Sequence, residues 1–163
     1  MNYYLSEELN DLKDLCAKIS EKYILPVRAE LDEENRFPRE IIQVMADSDL
    51  NGIYIPEEYG GVAEMFGGGS MALTVATEEL SKACGGVAVS YAANALGAMP
   101  ILISGSEEQK KKYLPDLASG KKLAAFALTE SEAGSDAGGV KTKAVKDGDS
   151  FHLLKKKIKR NNL

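Results

Sequence analysis

The sequence predicts a mainly α-helical chain that gives way to a small antiparallel β portion near its end. Three observations carry that expectation. Apolar residues recur at helical spacing from Leu5 to about Ala118, caps and glycine stops punctuate them, and β-type runs around a Gly/Ser loop appear only after Leu123. Helices first and strands afterwards point to two domains of different class. The expected boundaries are 1–120 for a helical domain, 121–153 for the opening of a β-domain, and 154–163 for an aberrant Lys-rich tail. By this reading the β part, about 40 residues, is too short to close a sheet around its own interior.

Each helix has a local warrant. Ser6 is a good N-cap, and Glu7 and Glu8 sit in the first turn, where the helix dipole favours carboxylates. Leu5, Leu9, Leu12, Leu15, Ile19 and Tyr23 then form one apolar stripe, and Pro26 punctuates it. The segment from Val27 to Arg36 is more polar, and its acidic residues Glu30, Asp32, Glu33 and Glu34 read as a solvated face rather than a cation site. Pro38 opens a helix over Arg39 to Asp47 with Ile41, Ile42, Val44 and Met45 as its core face. Asp49 to Gly61 reads as an irregular turn, and Gly67-Gly68-Gly69 as a flexible connector. That glycine run is no phosphate-binding loop, because neither a preceding strand nor a following Lys-Ser/Thr accompanies it.

Two further helices are expected, roughly Ser70–Ala83 and Val87–Ser104, parted by Cys84-Gly85-Gly86. The second carries Ala88, Ser90, Ala92, Ala93, Ala95, Gly97 and Ala98, whose small side chains permit close helix packing or leave room for an elongated ligand. Ser106-Glu107-Glu108-Gln109 is a capping box opening a helix to about Ala118, and Gly120 ends it. Lys110, Lys111 and Lys112 are placed on its wet side.

Composition sets bounds. Hydrophobic residues make up 44% and charged ones 28% of the 163 residues, a soluble globular balance. No apolar run is read as long enough to span a bilayer, and the N-terminal residues do not resemble a signal peptide. Cys16 and Cys84 lie far apart and His152 is the lone histidine, so neither a zinc site nor a His-based triad is expected. Buried free thiols in the cytoplasm are the default for the two cysteines. The net charge of −5 is uneven: residues 141–163 hold 8 Lys/Arg against 2 Asp/Glu, and residues 1–140 hold 12 against 23. An acidic body of this kind disfavours nucleic acid as a partner.

The chemistry is concentrated in residues 124–142. A strand is expected from Leu123 to Leu128, passing at Thr129 into a loop with Glu130, Ser131, Glu132, Gly134, Ser135 and Asp136. Gly138-Gly139 closes it before a second β-type run, Val140 to Val145. Thr129, Ser131 and Ser135 supply hydroxyls, and Gly134, Gly138 and Gly139 let backbone approach a ligand closely. Such a loop suits a flat, polar-edged cofactor or a phosphate, although a plain Gly/Ser turn between strands has the same composition.

Phe126-Ala127-Leu128-Thr129-Glu130 followed by Glu132-Ala133-Gly134-Ser135-Asp136 closely resembles the flavin-binding signature of the acyl-CoA dehydrogenases, with Ser131 where that family usually has Pro. The resemblance extends over nearly all of residues 3–153. It takes in Leu50-Asn51-Gly52-Ile53 with Pro56 to Gly61, Glu78-Glu79-Leu80-Ser81, Leu96-Gly97-Ala98-Met99-Pro100-Ile101, and Gly105 to Pro115. It implies the family's N-terminal helical domain and the opening strands of its middle β-domain. It also implies FAD as cofactor, an acyl-CoA thioester as substrate undergoing α,β-dehydrogenation, electron-transferring flavoprotein as oxidant, and a homo-oligomer in the full-length form. By the same resemblance Phe126, Leu128 and Thr129 lie at the flavin's edge, with Gly134 and Ser135 in the cofactor loop. Ser135 also lies by the phosphate and coenzyme A portions, and Asn94 and Leu96 border the acyl chain.

The resemblance places the family's catalytic Glu in a C-terminal domain that has no counterpart here, so no acidic residue of this chain is assigned that role. The pattern is lost after Leu153. Lys157, Ile158 and Asn162 fit it, but Lys159 stands where the family has an aromatic, Arg160 beside it, and Asn161 at a hydroxyl position. These departures lead to the expectation of an inactive fragment with a frameshifted end, against a natural basic tail as the alternative. The rival readings are a fragment of an acyl-CoA oxidase or a glutaryl-type dehydrogenase on the same scaffold, and a non-catalytic helical module that docks on a full-length homologue.

Overall fold

The computed structural model of the chain describes residues 5–154. The sequence readings on the first four residues and on the Lys-rich stretch 155–163 lie outside them. The chain divides into two units between Phe126 and Ala127.

The first unit contains six α-helices among the described residues: α1 Glu7–Ile19, α2 Arg28–Glu33, α3 Arg39–Asp47, α4 Gly69–Ala83, α5 Gly85–Ser104 and α6 Glu107–Ala118. The caps form as the residue types dictate. The Ser6 hydroxyl accepts the Leu9 N–H at 3.3 Å. At α6 the capping box is reciprocal: Ser106 Oγ accepts from Gln109 N, and Gln109 Oε1 accepts from Ser106 N. The N-terminal stripe buries Leu9, Leu12, Cys16 and Ile19 against α4, and a π-helical turn, Ser20–Ile24, runs on to Pro26, which cannot continue the helix. Arg28 Nη1 donates at 2.9 Å to the Ala83 carbonyl, satisfying one of the orphan acceptors at the end of α4. Glu30, Asp32, Glu33 and Glu34 are all exposed, the solvated face expected, and Arg36 pairs with Glu30, Glu34 and Glu40.

Two sequence expectations in this unit are corrected and a third is refined. The stretch from Leu50 to Gly61 is irregular as read, and its first six residues are core. Leu50, Asn51, Gly52, Ile53, Tyr54 and Ile55 are all buried, folded into short 3-10 turns whose backbone groups bond one another, as in Val62 N–H to Gly52 O at 3.0 Å. Gly69 is no flexible connector: it opens α4, and a Cβ there would lie 2.3 Å from Tyr54 Cα. Finally, α5 with its 20 residues is long and apolar enough to cross a membrane, contrary to the sequence reading. The helix packs on α4, and Val87, Ala88, Tyr91, Asn94, Ala95 and Ala98 form its buried face. Its outer face leaves Val89, Leu96 and Ile103 exposed. The thiols also differ from each other. Cys16 is buried and its pKa is pushed up to about 12 by that burial, whereas Cys84 is only half-buried.

The buried loop is also tied to α6. The Tyr59 hydroxyl donates to Glu107 Oε2 at 2.7 Å. This bond pushes the Tyr59 phenol up to about 12, with burial adding to it, and holds the Glu107 carboxyl below its ordinary value. The two shifts act at opposite ends of the pH scale. The Glu107 contribution is present above the ordinary carboxyl value of 4.5 and lost as pH falls through the lowered one. The Tyr59 contribution is present below 10 and lost as pH rises through about 12. Tyr59→Phe is therefore expected to flatten the acid limb of a urea-midpoint profile taken from about pH 7 down to pH 3. An unchanged acid limb would contradict this.

In the second unit the strands are β1 Lys143–Asp147 and β2 Ser150–Leu154, an antiparallel hairpin with Val145 opposite His152 and Lys146 opposite Phe151. Gly148 supplies the positive φ, +57°, that its two-residue turn requires. The strand expected over Leu123 to Leu128 does not form: no neighbouring strand pairs with it among the described residues, and a strand exists only through its partner. The run expected from Val140 likewise becomes a strand only at Lys143. The mainly helical class with a small antiparallel portion stands.

Candidate functional site

In the first unit the feature that positions functional groups is the middle of α5. Asn94 is 3% exposed. Its Oδ1 accepts the Ala124 N–H at 2.7 Å, and its Nδ2 donates at 3.3 Å to the hydroxyl of Tyr54, itself buried in the loop below. Burial raises the Tyr54 phenol, keeping it neutral in this contact. One turn further, Gly97 lies so close to Ala124 and Ala125 that a Cβ would stand 2.7 Å from Ala124 Cβ and from Ala125 N. Segment 124–126 is thus held by one hydrogen bond and one steric stop. Beyond it, Phe126 is 45% exposed.

Leu96 points the other way and is 53% exposed. Two residues along a helix are about 200° apart, so the two substrate-side candidates on α5 do not share a face. Asn94 spends both ends of its amide inside the fold, and Leu96 belongs to the outer stripe with Val89 and Ile103.

In the second unit Leu128 and Thr129 are exposed and lie outside any helix or strand. From Ala125 to Thr129 no backbone group makes a hydrogen bond within the described residues. At Glu130 the chain turns through an isolated bridge to Ala133. The Glu130 carboxylate accepts the Lys141 N–H and the Thr142 N–H, each at 2.9 Å, and also bonds the Thr142 hydroxyl. This carboxylate clasps the two ends of loop 130–142 together. Lys141 Nζ adds an ion pair to Glu132 at 2.8 Å, which raises the Lys141 pKa. The loop between these ends presents Gly134 and Ser135, both exposed. Neither Gly134 nor Gly138 nor Gly139 adopts positive φ. Open space surrounds Gly134, whereas a Cβ at Gly139 would meet the Asp136 carboxylate at 2.7 Å. Of the three, only Gly139 is required by a close approach, and none by a left-handed turn. Among the described residues no group of carboxylate, thiol and imidazole side chains is placed to hold a metal ion.

Sequence reasoning missed Tyr54 and the Lys141–Thr142 end of the clasp. A signal for the first was present: an Asn amid small apolar residues of a helix is buried only if its amide finds partners.

Residues 6–121 match the family model described as acyl-CoA dehydrogenase, N-terminal domain. The chain belongs to the acyl-CoA dehydrogenase family. It is 42% identical over 152 residues to the probable acyl-CoA dehydrogenase YngJ of Bacillus subtilis, covering 93% of this chain and 39% of that one. Among solved structures, butyryl-CoA dehydrogenase from Megasphaera elsdenii superimposes with a TM-score of 0.84 at 37% identity, covering 94% of this chain and 40% of that one. An acyl-CoA dehydrogenase from Bacillus anthracis solved in complex with FAD gives 0.82 at 35% identity, covering 93% and 26%. The chain thus spans about two-fifths of the length of the curated relative it matches. Both solved relatives are oxidoreductases by name, and FAD is a cofactor within the family.

Proposed function

We propose that this chain supplies the N-terminal helical domain and the flavin-edge segment of an FAD-dependent acyl-CoA dehydrogenase acting on acyl-CoA thioesters. The observation that carries the proposal is the run of backbone from Ala125 to Thr129. Its N–H and C=O groups have no partner among the described residues, and the apolar Phe126 and Leu128 alternate along it. A flavin ring has an apolar face and a hydrogen-bonding edge, and these groups fit it by donor set and chemistry. Backbone groups of Phe126 and Leu128 and the Thr129 hydroxyl would hold that edge. Gly134 and Ser135 would line the path of the phosphates. Bound FAD would supply the acceptor for the substrate's β-hydrogen as hydride. The chain's own residues bind and orient; none of its carboxylates is assigned the α-proton.

The proposal places the protein in the cytoplasm, with electron-transferring flavoprotein as its oxidant and homo-oligomerisation in the full-length form. Purification of these 163 residues with added FAD, followed by equilibrium dialysis and an absorbance spectrum, tests it. The expected result is weak, substoichiometric flavin and no oxidation of butyryl-CoA with an artificial acceptor. Stoichiometric flavin with turnover would show that the site is complete without further residues, and complete absence of flavin at millimolar FAD would remove the site.

The exposed Val89, Leu96 and Ile103 on α5 favour a second reading, a helical module that associates with a full-length homologue through that face. Co-purification with such a homologue at unchanged flavin content would support it over the first.

A further inference from the structure

We propose that Asn94 and Gly97 are positioning residues for the cofactor, forming a dock on α5 that fixes the course of Ala124–Phe126 and so the place at which Phe126 meets the flavin. The inference rests on the flavin reading above and names the residues that make that part of the site. Burying a primary amide is unfavourable unless its donor and acceptor are both used. Here both are: the carbonyl oxygen faces the Ala124 N–H and the amino group faces the Tyr54 hydroxyl. Turning the amide over would set its NH2 against the Ala124 N–H, so its orientation is determined by its partners. The hydrogen bond fixes the register of the segment along the helix.

Gly97 fixes the height. Carbon atoms in ordinary contact lie about 3.5–4.0 Å apart. The 2.7 Å between a Cβ on Gly97 and Ala124 Cβ means that any side chain lifts the segment by about 1 Å. No other backbone hydrogen bond holds residues 124–126, so nothing else in this unit's bonding resists such a shift. A displacement of about 1 Å in a positioned group is enough to lose most of its effect on a ligand.

The test uses the full chain labelled with nitrogen-15, with two readouts. The first is amide exchange. The Ala124 N–H is expected to exchange about tenfold more slowly than those of Ala125 and Phe126. Asn94→Leu and Gly97→Ala are each expected to erase that difference while the α4 and α5 core amides keep their protection. Asn94→Asp retains the accepting oxygen and restores the protection. Gly97→Ala leaves the buried amide in place and stands alone if Asn94→Leu fails to fold. The second readout is titration with FAD into the millimolar range, followed at the Phe126 amide. Its shift is expected in the parent chain and in Asn94→Asp, and about tenfold weaker binding in the other two variants. Protection of Ala124 that survives both substitutions overturns the dock. Lost protection with unchanged flavin shifts overturns the positioning role and leaves a purely structural contact. No flavin shift in the parent chain sinks the flavin reading itself and the positioning role with it, while exchange still decides the dock.

Discussion

Gly61→Ala is expected to destabilise the first unit by about 3–5 kcal/mol, the sum of overpacking and a lost hydrogen bond. Gly61 is buried, and a Cβ on it would lie 1.8 Å from Ile55 O and 2.4 Å from Ile55 C. Those atoms are backbone, so no rotamer change relieves the clash. The Ile55 carbonyl would have to swing away, and it is the acceptor for the Ala63 N–H at 3.1 Å. Gly61 N–H and Val62 N–H anchor the same turn to Pro56 O and Gly52 O, so the strain spreads into a closed knot of bonds. Native domains hold only about 5–15 kcal/mol in all, so this one methyl group removes a large fraction. A fall of about 1–3 M in the urea midpoint, read by far-ultraviolet circular dichroism, is the expected measurement. Gly134→Ala is the control. It has open space around it and no positive φ, and should change the stability by less than about 0.5 kcal/mol. Equal effects at the two glycines would contradict the packing argument.

Tyr91→Ala is expected to cost about 3–5 kcal/mol and Tyr91→Phe about 1–3 kcal/mol. Tyr91 is 1% exposed on the inner face of α5, and its hydroxyl donates at 2.7 Å to the carbonyl of Leu50, itself fully buried. Desolvation raises the phenol pKa well above its ordinary value, so it is the neutral O–H that meets the carbonyl. Phe keeps the ring and leaves that carbonyl without its donor in a dry interior. Ala also empties the space that the ring fills. Two urea titrations separate the terms: the Phe variant reads the hydrogen bond, and the further loss in the Ala variant reads the packing. A Phe variant as stable as the parent would show that another donor reaches Leu50 O.

Much of the first unit was legible in the sequence because its signals are local. Ser6 and Ser106 act on amides three residues away, and the stripe from Leu9 to Ile19 follows from helical periodicity alone. The loop from Leu50 to Ile55 was legible as irregular but not as core. Its burial depends on Tyr91 and Asn94 reaching it from positions 41 and 40 residues away, which spacing does not record. The failed strand at Leu123–Leu128 has a similar cause: alternation specifies a residue's fitness for a sheet, not the presence of a neighbour. At the candidate site, residue types were readable and geometry was not. Asn94 and Leu96 look equivalent on paper, and a helix sends one inward and the other outward. The clasp of Glu130 on Lys141 and Thr142 closes eleven or twelve residues, a span over which no periodic pattern carries information.

The ties of the buried loop also bear on how the chain folds. Leu50 to Tyr91, Tyr54 to Asn94 and Tyr59 to Glu107 close gaps of 41, 40 and 48 residues. Contacts this far apart in sequence carry a large loop-closure entropy and form after local helix has accumulated. The loop therefore docks after the local helices have formed, as must the α1–α4 packing and the Arg28–Ala83 bond, which close longer gaps still. Loss of any of these three ties should accelerate unfolding and leave the folding limb of a chevron plot nearly unmoved.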